Sequence, residues 1–211
     1  IKDDRITSVM AVKSFEDYLF LATKAGHVKK IKLDLFSKPR KSGVRIIKLP
    51  LDNSDTVVDV SRIKEKQEVM LITKKGQAIR LNTEDVRDMG RTSYGVTGIK
   101  MDKTDQVVSL EIIKDPKTTI LTITEKGYGK RSKAEDYRLT GRAGKGVKNV
   151  KITEKTGNVV TSIAVSDKDK IVVSTKKGIT IKTGVQDLRV MGRATSGVRI
   201  IKLKPGDKVS D

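Results

Sequence analysis

Apolar positions along this chain fall in short runs rich in Val, Ile, Leu and Thr. Such runs are the signature of half-buried β-strands. Nowhere do they keep the 3.6-residue spacing of an amphipathic helix. The first runs lie at 6–12, 18–23, 27–33 and 43–49, followed by 56–63, 68–73, 77–82 and 95–101. The pattern continues at 107–113, 119–124, 128–133 and 146–152, then at 159–165, 170–175, 179–184 and 197–203. The chain therefore reads as four groups of four strands.

Two landmarks repeat with the groups. Thr23-Lys24-Ala25-Gly26, Thr73-Lys74-Lys75-Gly76, Thr124-Glu125-Lys126-Gly127 and Thr175-Lys176-Lys177-Gly178 carry glycines 50, 51 and 51 residues apart. A Gly-Val pair begins at Gly43, Gly95, Gly146 and Gly197, with spacings of 52, 51 and 51. Four strands per unit and a period near 50 specify an all-β propeller or pinwheel of four-stranded blades. The expected arrangement is a single domain over 1–211, with repeats at about 6–53, 56–104, 107–157 and 159–211, and an incomplete disc. Each Thr-x-x-Gly stretch is expected to turn one strand into the next, glycine supplying the positive φ of a tight hairpin.

The longer loop between the third and fourth strands of a unit holds Glu84-Asp85, Glu135-Asp136 or the lone Asp187. Paired carboxylates suit acid–base or metal chemistry. Their recurrence at one repeat position instead points to the capping of a short helical turn.

Charge then narrows the function. Lys and Arg number 45 against 26 Asp and Glu, for a net charge of +19. A field of that size favours a polyanion. Aromatic residues make up only 3%, too few for the base-stacking platforms that hold single strands. Recognition of a duplex through its backbone fits better. There is no cysteine and one histidine, His27, which excludes disulfides, thiolate metal sites and multi-histidine metal sites within the chain. No apolar run approaches the length of a membrane span, so no membrane partner is expected. The chain opens on Ile1 rather than Met and is read as a piece of a longer polypeptide.

The positive charges recur in columns. Lys30, Arg80, Arg131 and Lys182 follow each turn glycine by four residues. Arg40, Arg91, Arg142 and Arg193 precede each Gly-Val. Arg87, Arg138 and Arg189 stand four residues earlier, with Lys38 nearby in the shorter first loop. Arg45, Lys148 and Arg199 follow the glycine of Gly-Val by two, where the second unit has Thr97. Lys41 and Lys145 complete the set of expected DNA contacts. Repetition on a propeller puts equivalent residues on equivalent faces, so these columns should form a belt. The planar guanidinium fork suits phosphate oxygens. With no recognition helix or zinc finger, base readout is not indicated.

Thr124-Glu125-Lys126-Gly127-Tyr128-Gly129-Lys130-Arg131 resembles the T-E-N-G-Y-G-K-R stretch of the DNA gyrase A C-terminal domain. Asp136-Tyr137-Arg138 and Gly141-Arg142-Ala143-Gly144-Lys145-Gly146-Val147 follow at similar spacing. Val86-Arg87-Asp88-Met89-Gly90-Arg91 and the stretch from Leu21-Ala22-Thr23 to Gly26-His27-Val28-Lys29-Lys30 resemble the same family. The resemblance runs through essentially the whole chain. It implies a β-pinwheel with strands exchanged between blades, wrapping double-stranded DNA around its rim with positive handedness. It also implies a non-catalytic part of a cytoplasmic, chromosome-associated enzyme, working with the rest of gyrase A and with gyrase B. ATP and Mg2+ would be used elsewhere in that enzyme, with no cofactor in this domain.

The family's Q-R-R-G-G-K-G box has its nearest counterpart at Gly141 to Gly146, which keeps Arg142, Gly144, Lys145 and Gly146 but has Ala143 in place of a glycine. The equivalent domain of topoisomerase IV lacks the box and stays open as a second assignment, although the regular repeats favour gyrase. A protein-binding propeller is disfavoured by the scarcity of aromatic anchors and the absence of Trp. A propeller enzyme is disfavoured because no nucleophile or phosphate-loop motif occurs. His27, Tyr18, Tyr94, Tyr128 and Tyr137 are assigned no catalytic role.

Overall fold

The computed structural model describes residues 6–210. Its strands are β1 (Tyr18–Thr23) and β2 (His27–Lys32) in the first unit, then β3 (Val57–Ile63), β4 (Glu68–Thr73), β5 (Gln77–Asn82) and β6 (Val96–Thr97) in the second. The third unit contributes β7 (Val107–Ile113), β8 (Thr119–Thr124), β9 (Tyr128–Lys133) and β10 (Val147–Lys148). The fourth contributes β11 (Val159–Val165), β12 (Lys170–Ser174), β13 (Thr180–Gly184) and β14 (Val198–Arg199). Most sequence-predicted strands appear within a residue or two of their expected bounds. The fourth strands of the second, third and fourth units shrink to two residues each.

Sheets do not coincide with sequence units. Their orders are β3-β1-β2-β6, β10-β5-β4-β7 and β11-β8-β9-β14, with β12-β13 alone in a two-stranded sheet. In each four-stranded sheet the central hairpin comes from one unit and both flanking strands come from the next. This exchange explains two departures from the sequence reading. Residues 6–12 and 43–49 are not strands. As first and fourth strands of the first unit, they would flank a hairpin preceding Tyr18, and the sequence contains none there. Among the described residues the β12-β13 hairpin likewise has no flanking strands, apart from a bridge between Thr175 and Val209.

Burial follows from that layout. β8 is buried at every position and β4 at all but its first, whereas β12 alternates between exposed and buried. A strand covered on both faces reads as a continuous apolar run, and one covered on a single face alternates. The cores accordingly lie between neighbouring blades. Phe20, Leu71, Leu81, Val86 and Leu110 fill the first such space, Met70, Ile72, Ile120, Tyr137 and Val150 the second, and Leu121, Ile171, Val173, Val185 and Ile201 the third. Strands β3 and β7 touch each other, as do β7 and β11. The first strands thus gather at the centre, and β6, β10 and β14, at the opposite sheet edges, form the outside.

Both glycine landmarks sit on the seam between units. The Gly76 carbonyl accepts N–H bonds from Asn149 and Val150 of the next unit, and Gly127 does the same for Ile200 and Ile201. At Gly146, φ is +72° and an added Cβ would lie 2.4 Å from the Ala78 carbonyl oxygen. Gly43, the matching residue of the unpartnered first unit, meets nothing within 4 Å. Gly146→Ala therefore combines a left-handed backbone with a backbone clash, and should cost on the order of 3 kcal/mol. Chemical denaturation of that variant and of Gly43→Ala, which meets no clash, measures the difference.

The expected helical turns are 3-10 segments at Leu33–Phe36, Thr83–Asp85, Ala134–Asp136 and Val185–Asp187. One detail of the expectation is corrected. Glu84, Asp85, Glu135, Asp136 and Asp187 lie within these turns instead of capping them. Asn82 is the residue whose side chain caps the second, accepting from the Glu84 N–H.

Candidate nucleic-acid interface

The loop after each 3-10 turn builds the outer edge. It first runs parallel to the third strand of the preceding unit, bridging Asp88 to Lys30, Leu139 to Arg80 and Val190 to Arg131. It then leaves the sheet in a tight turn and returns antiparallel as the short fourth strand, pairing Val96 with Val28, Val147 with Ala78 and Val198 with Gly129. Arg91, Arg142 and Arg193 occupy the tight turns. Two of these turns are closed by N–H bonds from Ser93 to the Gly90 carbonyl and from Thr195 to the Gly192 carbonyl.

Each turn also touches the fourth-strand segment of the unit before it. Lys48, Lys100 and Lys151 donate their backbone N–H to the carbonyls of Ser93, Gly144 and Thr195. Arg193 Nη1 donates to the Lys148 carbonyl at 3.0 Å. Turn arginines of one unit therefore interleave with fourth-strand cations of its neighbour, and the positive charge runs continuously across blade boundaries. Lys38, Arg40, Lys41, Arg45, Arg87, Arg91, Arg138, Arg142, Lys145, Lys148, Arg189 and Arg199 are exposed, and Arg193 is half-buried.

One expected column does not belong to this surface. Lys30 is buried and pairs with Asp88 at 3.1 Å. Arg80 pairs with Glu68 at 2.5 Å and donates to the carbonyls of Ala134 and Tyr137. Arg131, 6% exposed, donates to the Val185 carbonyl at 2.7 Å and meets Asp167 at 2.5 Å. The position four residues after the turn glycine falls where the next unit's loop crosses the third strand. A cation there is covered: Arg80 and Arg131 donate to carbonyls of that unit's 3-10 turn, and Lys30 pairs with Asp88 in the loop beyond it. Lys182, in the fourth unit, is crossed by no loop among the described residues and is exposed. The recurrence of this column reflects the blade seam, and Lys30, Arg80 and Arg131 are withdrawn from the interface.

The sequence reading overlooked another column. Lys48, Lys100, Lys151 and Lys202 follow the glycine of Gly-Val by five residues in all four units, and all four are exposed. The repeat register alone could have found them. Arg199 adds an aromatic contact, its guanidinium 5.4 Å from the Tyr128 ring centroid and its Nη2 donating to the Tyr128 hydroxyl at 2.9 Å. That donation holds the Tyr128 phenol below its usual range.

Two lysines lie beneath the turns. Lys29 and Lys130 are 0% and 2% exposed. Lys29 Nζ donates to the carbonyls of Ile46, Arg91 and Ser93 at 2.6, 2.9 and 3.0 Å. Lys130 Nζ donates to Ser132 Oγ at 2.6 Å and to the carbonyls of Gly192 and Arg193 at 3.2 and 2.5 Å. Burial lowers the Lys29 ammonium to about 8 and the Lys130 ammonium to about 7.

Four other titratable side chains have contacts of their own. His27 stacks on Tyr94 with ring centroids 4.4 Å apart, and the Tyr94 hydroxyl donates to Asp55 at 2.6 Å. The Tyr137 hydroxyl bonds Asn149 inside the core. Burial raises Glu111 to about 7, where its carboxylate accepts the Ala164 N–H. No group of three or more His, Cys, Asp or Glu that could hold a metal ion occurs among the described residues.

A strand-exchanged β-propeller with interleaved arginines and lysines along its outer edge defines a polyanion-binding module. The chain belongs to the family described as the DNA gyrase C-terminal domain, beta-propeller, whose repeat matches residues 17–64, 67–114, 118–166 and 169–211. Each match begins at a central hairpin and runs to the first strand of the following unit or the chain end. The DNA gyrase A protein of Chlamydia pneumoniae is 42% identical over 97% of this chain, and that of Salmonella typhimurium 40% identical over 98%. The chain spans 25% and 24% of their lengths. Among solved structures, a DNA gyrase A C-terminal domain superposes with a TM-score of 0.84 at 29% identity, covering 94% of this chain and 65% of the other. The C-terminal domain of a DNA topoisomerase IV gives 0.87 at 26% identity, covering 94% and 62%.

Proposed function

We propose that this chain is the DNA-wrapping module of a gyrase A protein, binding double-stranded DNA along its outer edge and bending it around the blades. The observation that carries this reading is the interleaving of exposed turn arginines with fourth-strand cations across successive blade boundaries. A duplex lying on that track crosses one blade after another and must curve. Bending 20–30 base pairs by 40–90° costs on the order of 1–6 kcal/mol, which roughly ten phosphate contacts can offset at low salt. The contacts are to backbone phosphates, so binding is largely independent of sequence.

Under this reading the module performs no chemistry and takes no metal or cofactor of its own. ATP and Mg2+ serve other parts of an ATP-dependent type II topoisomerase. Its partners are duplex DNA, the remainder of gyrase A and gyrase B, in the cytoplasm with the chromosome. Positive wrapping would present a DNA segment for passage, which lets the whole enzyme introduce negative supercoils. The fold is shared with topoisomerase IV, but the relatives matched over nearly the whole chain carry the gyrase A name.

Binding should weaken steeply with salt, with log K falling against log salt at a slope near −9 for roughly ten phosphates. Relaxing closed circular DNA with a topoisomerase in the presence of the chain tests the wrapping itself. After protein removal, the circles should keep a handed change in linking number that grows with protein. An unchanged linking number at saturating protein contradicts wrapping.

A further inference from the structure

We infer that Lys29 and Lys130 are positioning residues of the DNA track, each holding the arginine-bearing turn of the following unit from beneath through its ammonium group. The inference rests on the rim binding a duplex as proposed above, and concerns two side chains that no duplex can reach.

The geometry is specific. Lys29 sits on β2 of the first unit, yet two of its three acceptors are carbonyls of the second unit's turn, Arg91 and Ser93. Its third acceptor, Ile46, belongs to the first unit's own rim segment. One ammonium therefore staples adjacent rim segments together. Lys130 on β9 repeats the arrangement one pair of units later, bonding Gly192 and Arg193. Ser132, which accepts from Lys130, in turn donates to the Met191 carbonyl at 2.8 Å. Carbonyls drawn inward fix the turn backbone that carries Arg91, which is exposed, and Arg193, which is half-buried.

Burying a cation is costly unless its donors are satisfied. In a chain of net charge +19, repulsion from the rim adds to that cost. An apolar residue could fill the same space, and the second and fourth units have Ile79 and Ile181 there. Beneath the third unit's turn, Ile79 packs against Gly144, and the backbone takes over the fastening through the Ala143 N–H to the Gly98 carbonyl at 2.7 Å. The lysines thus occur where the turn lacks that backbone bond among the described residues.

The test is a double-mutant cycle on duplex binding by this chain, using Lys130→Met, Arg193→Ala and the pair, with a duplex of about 40 base pairs across a salt series. Lys130→Met should lose roughly ten-fold in affinity at a temperature where it remains folded, and flatten the salt slope by about one ion. The pair should bind no more weakly than Arg193→Ala alone, because the lysine acts through the arginine. Additive losses would overturn the inference by making Lys130 a separate contact, and unchanged affinity in a folded Lys130→Met would reduce it to a stability residue. Should Lys130→Met not fold, Ser132→Ala removes one acceptor and should show a smaller loss with the same non-additivity. Failure of the wild-type chain to bind the duplex in a salt-dependent way would strike the wrapping proposal itself.

Discussion

Replacing Arg91, Arg142 and Arg193 together with Glu is expected to abolish useful DNA binding while leaving the fold standing. These arginines occupy equivalent turns on three successive units, and two are exposed. Neutralising them removes about three phosphate contacts, which should flatten the salt slope by about 2.7. Reversal adds repulsion between three carboxylates and the phosphates. The combined loss is expected on the order of 100- to 1000-fold near 0.15 M salt, or about 3–4 kcal/mol. The cost in stability should be small, because exposed substitutions usually fall within about 0.5 kcal/mol, although Arg193 loses its bond to Lys148. Fluorescence anisotropy on a labelled duplex, beside thermal unfolding, separates the two effects.

Arg131→Met should show the opposite profile. Its guanidinium is the donor that the Val185 carbonyl receives from across the blade seam. Removing it takes away one of the two donors to the Val185 carbonyl, which keeps the Leu188 N–H at 3.0 Å, and breaks the pair with Asp167. Asp167 is 74% exposed at its side chain, so the freed carboxylate returns to water at little cost. The loss should be about 2 kcal/mol, from the charge-assisted bond to the carbonyl and the packing of the arginine stem. For a chain of this size that lowers Tm by roughly 4–8 °C. Below the transition, duplex affinity should stay within about two-fold of wild type, since Arg131 does not reach the surface. A loss of affinity without a loss of stability would return this column to the interface.

The contrast between these arginines shows what the repeat pattern could and could not reveal. Period and turn chemistry were legible because each strand is a local run and each hairpin has its glycine. The exposed columns were legible because repetition makes equivalent positions equivalent in space. Repetition alone could not distinguish a cation facing solvent from one facing the next blade. Arg80 and Arg91 both recur as basic residues, and only the crossing of the third strand by the following loop separates them. Strand exchange came from the family resemblance, since no local signal says that Val96 pairs with Val28 of the preceding unit. The runs at 6–12 and 43–49 have the composition of strands, but a strand also needs a partner. Lys29 and Lys130 were hidden for a related reason, because a buried lysine looks in sequence like any other lysine.

Lysine modification read by mass spectrometry, with and without a bound duplex of about 40 base pairs, tests the outer-edge track most directly. Lys48, Lys100, Lys145, Lys148, Lys151 and Lys202 should lose reactivity when DNA binds. Lys114, Lys117 and Lys168, which line the groove between the β7–β8 and β11–β12 connections, should react equally with and without DNA. Protection of the groove lysines with the outer-edge lysines left reactive would contradict the account.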